Sequence, residues 1–504
     1  MDLFIKIAML VIFFGVMIYV GIRSRSSAKN VSGFVLGGRN VGPWLSAFAY
    51  GTSYFSAVIF IGYAGQFGWR FGVASTWIGI GNAVIGSLLA WLILARRTRL
   101  MTQHYESATM PQFFGKRFDS NALKIVASVI VFIFLIPYTA SLFNGLSRLF
   151  EMAFGIDYTV CIILMSVLTC IYVVLGGYMA TAINDFIQGI IMLVGIVAVI
   201  GAVLNENGGF LTAIESLSKV EAPGVNPGGF ASFFGADPGF LLFVVILTSL
   251  GTWGLPQMVG KFYAIKDESA VKKGTIISTL FALVVAGGCY FLGGFARLYT
   301  PETNAAGGIV YDSIIPKMLE NLNPILMGVV VVLVLSASMS TLSSLVLTSS
   351  STITLDLVKG HIKKDITEKK QILLMRILLV VFVAISAGVA VFQHTSTSEA
   401  VGYIAQLMGL SWGALAGAFL APFLWSMYMK RTSSIATWFS FITAPIFMIV
   451  TTVFQKSMPA LLGNPINCGA FIMIAMLILV PLISLLDRRK PTEQVEKAFE
   501  CYKK

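Results

Sequence analysis

The sequence LSASMSTLSSLVLTSSSTITLD, Leu335 to Asp356, continues an apolar run that begins at Ile325 without a break. The combined segment is long and apolar enough to predict a membrane-spanning helix. Hydroxyl groups are nevertheless frequent in its second half. One helical face carries Ala337, Ser340, Thr341, Ser344 and Thr348. Lipid cannot satisfy such a face, so we expect it to point toward protein, water or an ion.

Two roles are open to these hydroxyls. Adjacent Ser340 and Thr341 can offer two neutral oxygens to a small hard cation. Hydroxyls in membrane helices also bond to carbonyl groups one turn earlier, or join neighbouring helices. Taken alone, the stretch favours the structural role, and the choice depends on the rest of the chain.

Composition indicates a polytopic membrane protein. The chain has 504 residues, of which 57% are apolar and 12% charged, with a mean hydropathy of +0.85. Soluble globular proteins carry about twice that charged share. The five cysteines include no CxxC pair and predict no disulfide framework. The first apolar run, Leu3 to Ile22, lacks a basic n-region and a small-residue cleavage site, so it is predicted to be a retained helix.

Charge distribution predicts the topology. About thirteen apolar runs reach spanning length. With the N-terminus outside, about 28 of the 35 lysines and arginines fall in cytoplasmic connections or the C-terminal tail, Arg39, Arg97 and Lys261 among them. This arrangement predicts a multi-pass plasma-membrane protein with a cytoplasmic C-terminus. It explains the net charge of +12 by topology, so the lipid bilayer is an expected partner and nucleic acid is not.

Two spans contain polar, glycine-rich interruptions. They are AYGTSYFS at Ala49–Ser56 in the second span and GTWGLPQ at Gly251–Gln257 in the seventh. Glycine and proline loosen a helix and free backbone groups, which survive in a membrane only where they line a cavity. Because the two spans lie five apart, equivalent helices run in opposite directions, as in an inverted repeat. The alternative is that the glycines only allow close helix packing.

The predicted organisation is therefore two five-helix repeats with additional helices around them. The predicted units are an N-terminal helix and inner loop (1–43), the first repeat (44–204), an outer loop (205–238), the second repeat (239–428), two peripheral helices (429–487) and a basic cytoplasmic tail (488–504).

A single acidic residue stands at the mouth of an apolar helix. Asp185 lies in GGYMATAINDFIQG, Gly176 to Gly189, on the predicted inner side. One interpretation is helix capping by Asn184 or Asp185, which the helix dipole favours. The other is a carboxylate near the inner end of an ion path.

Several of these motifs resemble those of the sodium/solute symporter family, particularly its proline and pantothenate symporters. The motifs are Leu36–Arg39, Gly176–Gly177 with Asn184–Asp185, and Met339–Ser343. The resemblance extends over nearly the whole chain. Proline symporters carry an aspartate in the second span where this chain has Tyr54, so the resemblance leaves the solute open.

The resemblance implies an all-α fold of the leucine-transporter type, with a 5+5 inverted repeat and peripheral helices. It also implies that Na⁺ binds between the second and ninth spans. By match of motif, its ligands are the carbonyls of Thr52, Phe55 and Ala337 and the hydroxyls of Ser340 and Thr341. Some family members bind a second sodium near the acid that matches Asp185.

The solute is expected just outside the sodium, between the interrupted helices. The candidate contacts are Ser56, Tyr138, Trp253, Gln257 and Gln406. Ser56 matches a family substrate contact, Tyr138 follows Pro137 in an apolar span, and Trp253 can stack over a small solute as a gate. Plain packing is the alternative for each aromatic ring. Amides at the half-helix ends can hold a carboxylate without a basic residue.

These observations predict a sodium-coupled symporter that imports an amino acid such as proline, or a small carboxylate such as pantothenate, by alternating access. A passive channel and a transporter-like membrane sensor are the alternatives. An enzyme is not expected, because the chain contains no P-loop, HExxH motif or nucleophile elbow. The histidines His104, His361 and His394 are scattered and predict no metal cluster.

Overall fold

The computed structural model describes residues 2–303, 307–363, 365–395 and 404–503, and over these ranges the protein is a bundle of helices. In chain order the α-helices are α1 (Asp2–Arg23), α2 (Val31–Leu36), α3 (Pro43–Tyr54), α4 (Ala64–Phe71), α5 (Thr76–Gly81), α6 (Arg96–His104), α7 (Met110–Arg117), α8 (Asn121–Phe154), α9 (Tyr158–Glu206), α10 (Phe210–Ser218), α11 (Pro238–Leu250), α12 (Pro256–Tyr263), α13 (Glu268–Gly293), α14 (Ile314–Leu319), α15 (Pro324–Thr352), α16 (Glu368–Thr395), α17 (Ile404–Tyr428), α18 (Ser434–Val453), α19 (Pro465–Leu486) and α20 (Glu493–Phe499).

Within the described ranges, ten helical segments are long and apolar enough to cross a membrane, or eleven if a bent pair is counted. The bent pair is Pro238–Trp253 with Pro256–Tyr263, which meet at 41°. The all-helical, multi-pass class is thus confirmed, but the predicted count of about thirteen is not. The second and third predicted spans are partly merged in one helical run, Val58–His104, because the chain turns at Gly72 without a loop. The predicted start of the eleventh span, near residue 399, lies outside the described ranges.

Breaks in two helices occur where the sequence predicts them, but they are narrower than predicted. Helix α3 stays helical to Tyr54, after which Phe55 is extended with φ −83° and ψ 118°. The chain between α11 and α12 passes through a short 3₁₀ turn, and Leu255 is extended with φ −81° and ψ 121°. The two extended residues thus have nearly the same backbone conformation. Each break exposes carbonyl and amide groups at a helix end.

The arginine-rich connections gather at one end of the bundle. The Arg39 guanidinium donates hydrogen bonds to the carbonyls of Tyr263, Thr102 and Ser107. The guanidinium of Arg99 donates to the carbonyl of Ile265. We call this end, formed by the connections 24–42, 105–109 and 264–267, the basic end. Its assignment to the cytoplasmic side stays a prediction.

Glycine residues allow α13 to contact α4 and α5 backbone to backbone. A Cβ atom on Gly68 of α4 would lie 1.8 Å from the carbonyl oxygen of Gly293, the last residue of α13. A Cβ on Gly79 of α5 would lie 2.4 Å from the Cα of Gly287, also on α13. Any larger residue at these positions must push the helices apart, so α13 packs directly on α4 and α5.

Candidate ion and solute site

The break after α3 faces the hydroxyl-rich helix α15. The Oγ of Ser340 lies 3.0 Å from the carbonyl oxygen of Thr52. The Oγ1 of Thr341 lies 3.1 Å from the same carbonyl and 3.2 Å from that of Phe55. Both hydroxyls also lie close to the Ala337 carbonyl on their own helix, at 2.9 Å and 3.1 Å. Five oxygen atoms from two helices therefore meet at one point.

The chemistry of this cluster is uniform. Three of its oxygens are backbone carbonyls and two are hydroxyls, and all five residues are buried. An all-oxygen, uncharged set of this kind suits a hard cation of low charge, since hard cations prefer oxygen ligands. The structure brings together the five residues predicted to bind sodium, and their role as ligands stays a prediction.

A polar path leads from this cluster toward the basic end. The Oγ of Ser344 on α15 lies 2.9 Å from the Oγ of Ser53 on α3. Beyond this pair is a cavity of about 40 Å³ whose lining includes Ser344, Thr348, Gln257 and Lys261. A cavity of this size holds about two or three water molecules. The hydroxyl face of α15 thus continues from the oxygen cluster into a small cavity with a partly polar lining.

The predicted solute residues lie on different elements of the bundle. Ser56 lies in the break after α3, and Tyr138 on α8 packs edge-on against Trp412 of α17, with ring centroids 5.9 Å apart. Gly251, at the second break, lies beneath the same tryptophan, because a Cβ there would be 2.6 Å from the Trp412 ring. Trp412 therefore connects Tyr138 to the second break. Gln406 lies on the same helix, roughly 9 Å along the axis from Trp412.

Several polar groups in the bundle interior form no hydrogen bond of standard geometry with a described residue. They are the buried hydroxyl of Tyr138, which lies close to Ser56 and Trp412, the indole N–H of Trp412, both amide atoms of Gln257 and the amide oxygen of Gln406. Buried polar groups are nearly always paired in native proteins. This part of the protein therefore has spare hydrogen-bonding capacity for a polar ligand.

Sequence reasoning did not identify Trp412. The available signal was a tryptophan between Ser411 and Gly413, two small residues, inside an otherwise apolar span. Such a position leaves room for a neighbouring chain to approach the ring. The ring's partners come from α8 and from the second break, which the local sequence does not reveal.

Trp253 is attached to a neighbouring helical segment. Its indole N–H donates to the carbonyl of Ile85 at 2.9 Å, and the adjacent Thr252 hydroxyl donates to the carbonyl of Gly86 at 3.1 Å. Both carbonyls belong to the π-helical turn Asn82–Leu89. These bonds hold the second break against that turn, and the predicted gating role of Trp253 stays a prediction.

Asp185 forms a buried ion pair with Lys261, which was predicted to lie in a cytoplasmic connection. The charge asymmetry assigns Lys261 to a cytoplasmic connection, but the structure buries it in α12, where its side chain is 5% exposed. Its Nζ lies 3.6 Å from Oδ2 of Asp185, which is 1% exposed. The assignment of Lys261 to a loop was wrong, because the helix after Pro256 continues through Tyr263.

Comparison with known proteins agrees with this architecture. A profile of the Sodium:solute symporter family matches residues 34–443, most of the chain. The chain belongs to this family. Among similar curated proteins, the osmoregulated proline transporter OpuE of Bacillus subtilis is 29% identical over 88% of this chain and 89% of its own length. The sodium/proline symporter of Staphylococcus aureus is 30% identical over 84% of this chain and 81% of its own.

Solved structures of two transporters have a fold similar to that of this protein. A Na⁺-coupled sialic acid symporter in a substrate-bound outward-open state has a TM-score of 0.74 at 17% identity, covering 97% of this chain and 99% of its own. Mhp1, a nucleobase-cation-symport-1 family transporter, has a TM-score of 0.53 at 12% identity, covering 93% and 98%. These likenesses confirm the leucine-transporter-type fold.

Proposed function

We propose that the protein is a sodium-coupled symporter of a small organic solute, and that sodium binds where α3 breaks against α15. One observation carries the proposal: the carbonyls of Thr52, Phe55 and Ala337 converge with the hydroxyls of Ser340 and Thr341. The helix break is what makes the carbonyls available. An unbroken α3 would commit them to its own backbone.

Sodium binding uses groups that already lie in place. The two hydroxyls donate to the carbonyls, and rotation about their C–O bonds turns a lone pair toward a bound cation instead. The carbonyl oxygens then coordinate the ion directly, so that all five dipoles present their negative ends to it. Little backbone movement is needed, which keeps the entropic cost of binding low.

The solute is proposed to lie beside the ion, among Ser56, Tyr138 and Trp412. The unpaired hydroxyl of Tyr138 and the indole N–H of Trp412 supply hydrogen bonds, and their rings supply apolar contact. Helix ends at the two breaks can hold a carboxylate. These features fit a small zwitterion, and we choose proline as the first candidate because curated relatives are named as proline transporters.

Coupling follows from the shared break. Sodium fixes the Thr52 and Phe55 carbonyls, and Ser56, the next residue, contributes to the solute site. Each ligand therefore pre-orders backbone that the other needs, and linkage requires that the effect be reciprocal. We propose that the loaded state closes toward the outside and empties through the cavity at the basic end, which we assign to the cytoplasm of a plasma membrane.

Uptake by purified protein in liposomes tests this function. We expect radiolabelled proline to accumulate above its bath concentration when sodium is higher outside, and not when choline replaces sodium. If proline fails, other amino acids and small carboxylates should be compared under the same gradient. A passive channel would only equilibrate its solute, and a sensor would transport none; either result, across the whole solute panel, overturns the proposal.

A further inference from the structure

We infer that the ammonium group of Lys261 is a built-in cation that takes the place of a second sodium ion at Asp185, so that the protein carries one sodium per transport cycle. The inference rests on the proposed function for the first sodium, at Ser340 and Thr341. It concerns a different pair of side chains, on α9 and α12.

Both side chains of the pair are buried, and the lysine lines the cavity near the basic end. The Lys261 Nζ lies 3.6 Å from the Asp185 Oδ2, and the side chains are 5% and 1% exposed. The ring of Tyr178 also lies near the ammonium, with its centroid 5.2 Å away, in cation–π range. Within the described residues, neither side chain forms another ion pair.

The neighbouring side-chain amides do not donate hydrogen bonds to the Asp185 carboxylate. The side-chain amide nitrogens of Asn184 and Gln188 point toward Met17 of α1, at 3.5 Å from its carbonyl and 3.2 Å from its sulfur. Apart from the Lys261 ammonium, no described residue donates a hydrogen bond to the carboxylate oxygens of Asp185. The Lys261 ammonium is therefore the group that compensates this buried negative charge.

Charge balance decides between lysine and sodium. A buried carboxylate needs one positive charge nearby, and an unpaired one is very costly. Lys261 already supplies that charge. A sodium ion at Asp185 would lie within a few ångströms of the ammonium, leaving one uncompensated positive charge in the low-dielectric interior. Asp185 is therefore expected to attract a free cation only when Lys261 is neutralised or removed.

The position of the pair fits a cation site that a side chain has filled. Lys261 lines the cavity that also contains Ser344 and Thr348, on the same face of α15 as the first sodium site. The same cavity is lined by Ala108 and Thr109, in a connection at the basic end, so Lys261 lies between Asp185 and a space that reaches that end. The tethered ammonium occupies the site but cannot leave through that space, so it contributes no ion to the transport stoichiometry.

Counting bound sodium tests the inference without requiring the solute. Equilibrium binding of ²²Na⁺ to purified protein is measured for the wild type, Lys261→Met, Asp185→Asn, and the double variant. We expect one sodium per wild-type protein and two per Lys261→Met protein, because methionine keeps the length of the side chain but frees the carboxylate. The double variant should return to one, and Asp185→Asn alone should remain at one.

Each alternative result has a separate meaning. Two sodium ions per wild-type protein, falling to one in Asp185→Asn, would overturn the inference even if Lys261→Met did not fold. A folded Lys261→Met protein that still binds one sodium would also overturn it, while leaving the first sodium site intact. No sodium bound to the wild type, or one that survives Ser340→Ala with Thr341→Ala, would instead contradict the proposed function on which the inference rests.

Discussion

The hydroxyl of Ser344 on α15 lies 2.9 Å from the hydroxyl of Ser53 on α3, one helical turn from Ser340. Ser53 donates its own proton to the carbonyl of Ala49, which leaves Ser344 as the donor between the two helices. The contact between α3 and α15 thus has a polar link outside the proposed ion site. Removing an ion ligand should not separate the helices, so ion binding can be tested apart from folding.

Replacing Ser340 or Thr341 with alanine should weaken sodium binding. Each change removes one proposed ligand while keeping a good helix former. We expect the sodium concentration for half-maximal proline uptake to rise roughly tenfold per ligand, equivalent to about 1.4 kcal/mol. Ser350→Ala is the matched control, because among the described residues its hydroxyl bonds to the Leu347 carbonyl of the same helix and to no other group. Equal sodium dependence in all three variants would show that the hydroxyls have a structural role only.

Replacing Tyr138 with phenylalanine should affect the solute rather than the ion. The change removes a buried hydroxyl that forms no hydrogen bond of standard geometry with a described residue, so we expect little loss of stability. The KM for proline should rise by roughly 3- to 10-fold, the value of one hydrogen bond, while ²²Na⁺ binding without solute stays the same. Uptake kinetics and sodium binding are measured on the same preparation.

Tyr50 provides the control for this prediction. Its hydroxyl donates to the Gly86 carbonyl at 2.8 Å, so Tyr50→Phe should lower the melting temperature and leave the KM nearly unchanged. An unchanged KM in Tyr138→Phe would remove that hydroxyl from the proposed solute site.

Orientation is testable by cysteine labelling. Ser26 is exposed at the basic end, and Ser457 is exposed in the connection between α18 and α19. In a background without the five native cysteines, we expect an impermeant thiol reagent added to whole cells to label Ser457→Cys and not Ser26→Cys. After permeabilisation both should react. Labelling of Ser26→Cys in intact cells would place the basic end outside.

Stability should depend on pH through Asp312, in the connection between α13 and α14. Burial raises the pKa of its carboxyl to about 6, although the backbone N–H of Ile404 donates to it. Because the folded pKa is raised, this group's contribution to stability is complete below its unfolded pKa and is lost as pH rises through about 6. We therefore expect the melting temperature of wild type, relative to Asp312→Asn, to rise by a few degrees between about pH 7 and pH 5.

The exposed acid Glu320 gives the comparison for Asp312. Glu320→Gln should keep the pH dependence of the wild type, since its carboxylate lies on the surface beside Lys317. Parallel melting curves for wild type and Asp312→Asn across this pH range would contradict the raised pKa.

Local signals were sufficient to predict the membrane class and the approximate break positions. Gly51 and the polar residues after it indicated that the helix of the second span is interrupted. They did not indicate that the helix continues to Tyr54 before the break. The exact end is set by the meeting of the Thr52 and Phe55 carbonyls with hydroxyls almost 290 residues away. Backbone interactions over such separations leave no trace in a short window of sequence.

The clearest error of the sequence prediction was the position of Lys261, which the structure buries in α12. Near a predicted membrane boundary, Lys261 has the same sequence signature as a loop lysine, because basic residues cluster there by topology. What distinguishes it is Asp185, which belongs to another helix. Trp412 was missed for the same reason, since Tyr138 and Gly251 come from separate parts of the chain. Pairings between repeats require the assembled bundle.

The glycine contacts along α13 determine which parts of the protein can move. Sliding α4 past α13 would bring residues with side chains into the close backbone contact that Gly68 and Gly293 now make, so we expect these helices to move together. Helix α3 meets α13 through the Phe281 ring beside Gly51, which a change of rotamer can accommodate. If the second span bends during transport, we therefore expect the backbone angles to change at Phe55 and Ser56. The proposed ion and solute sites lie at these two residues, so a change in the angle of the span there would shift the carbonyls of Thr52 and Phe55 that we propose as ion ligands.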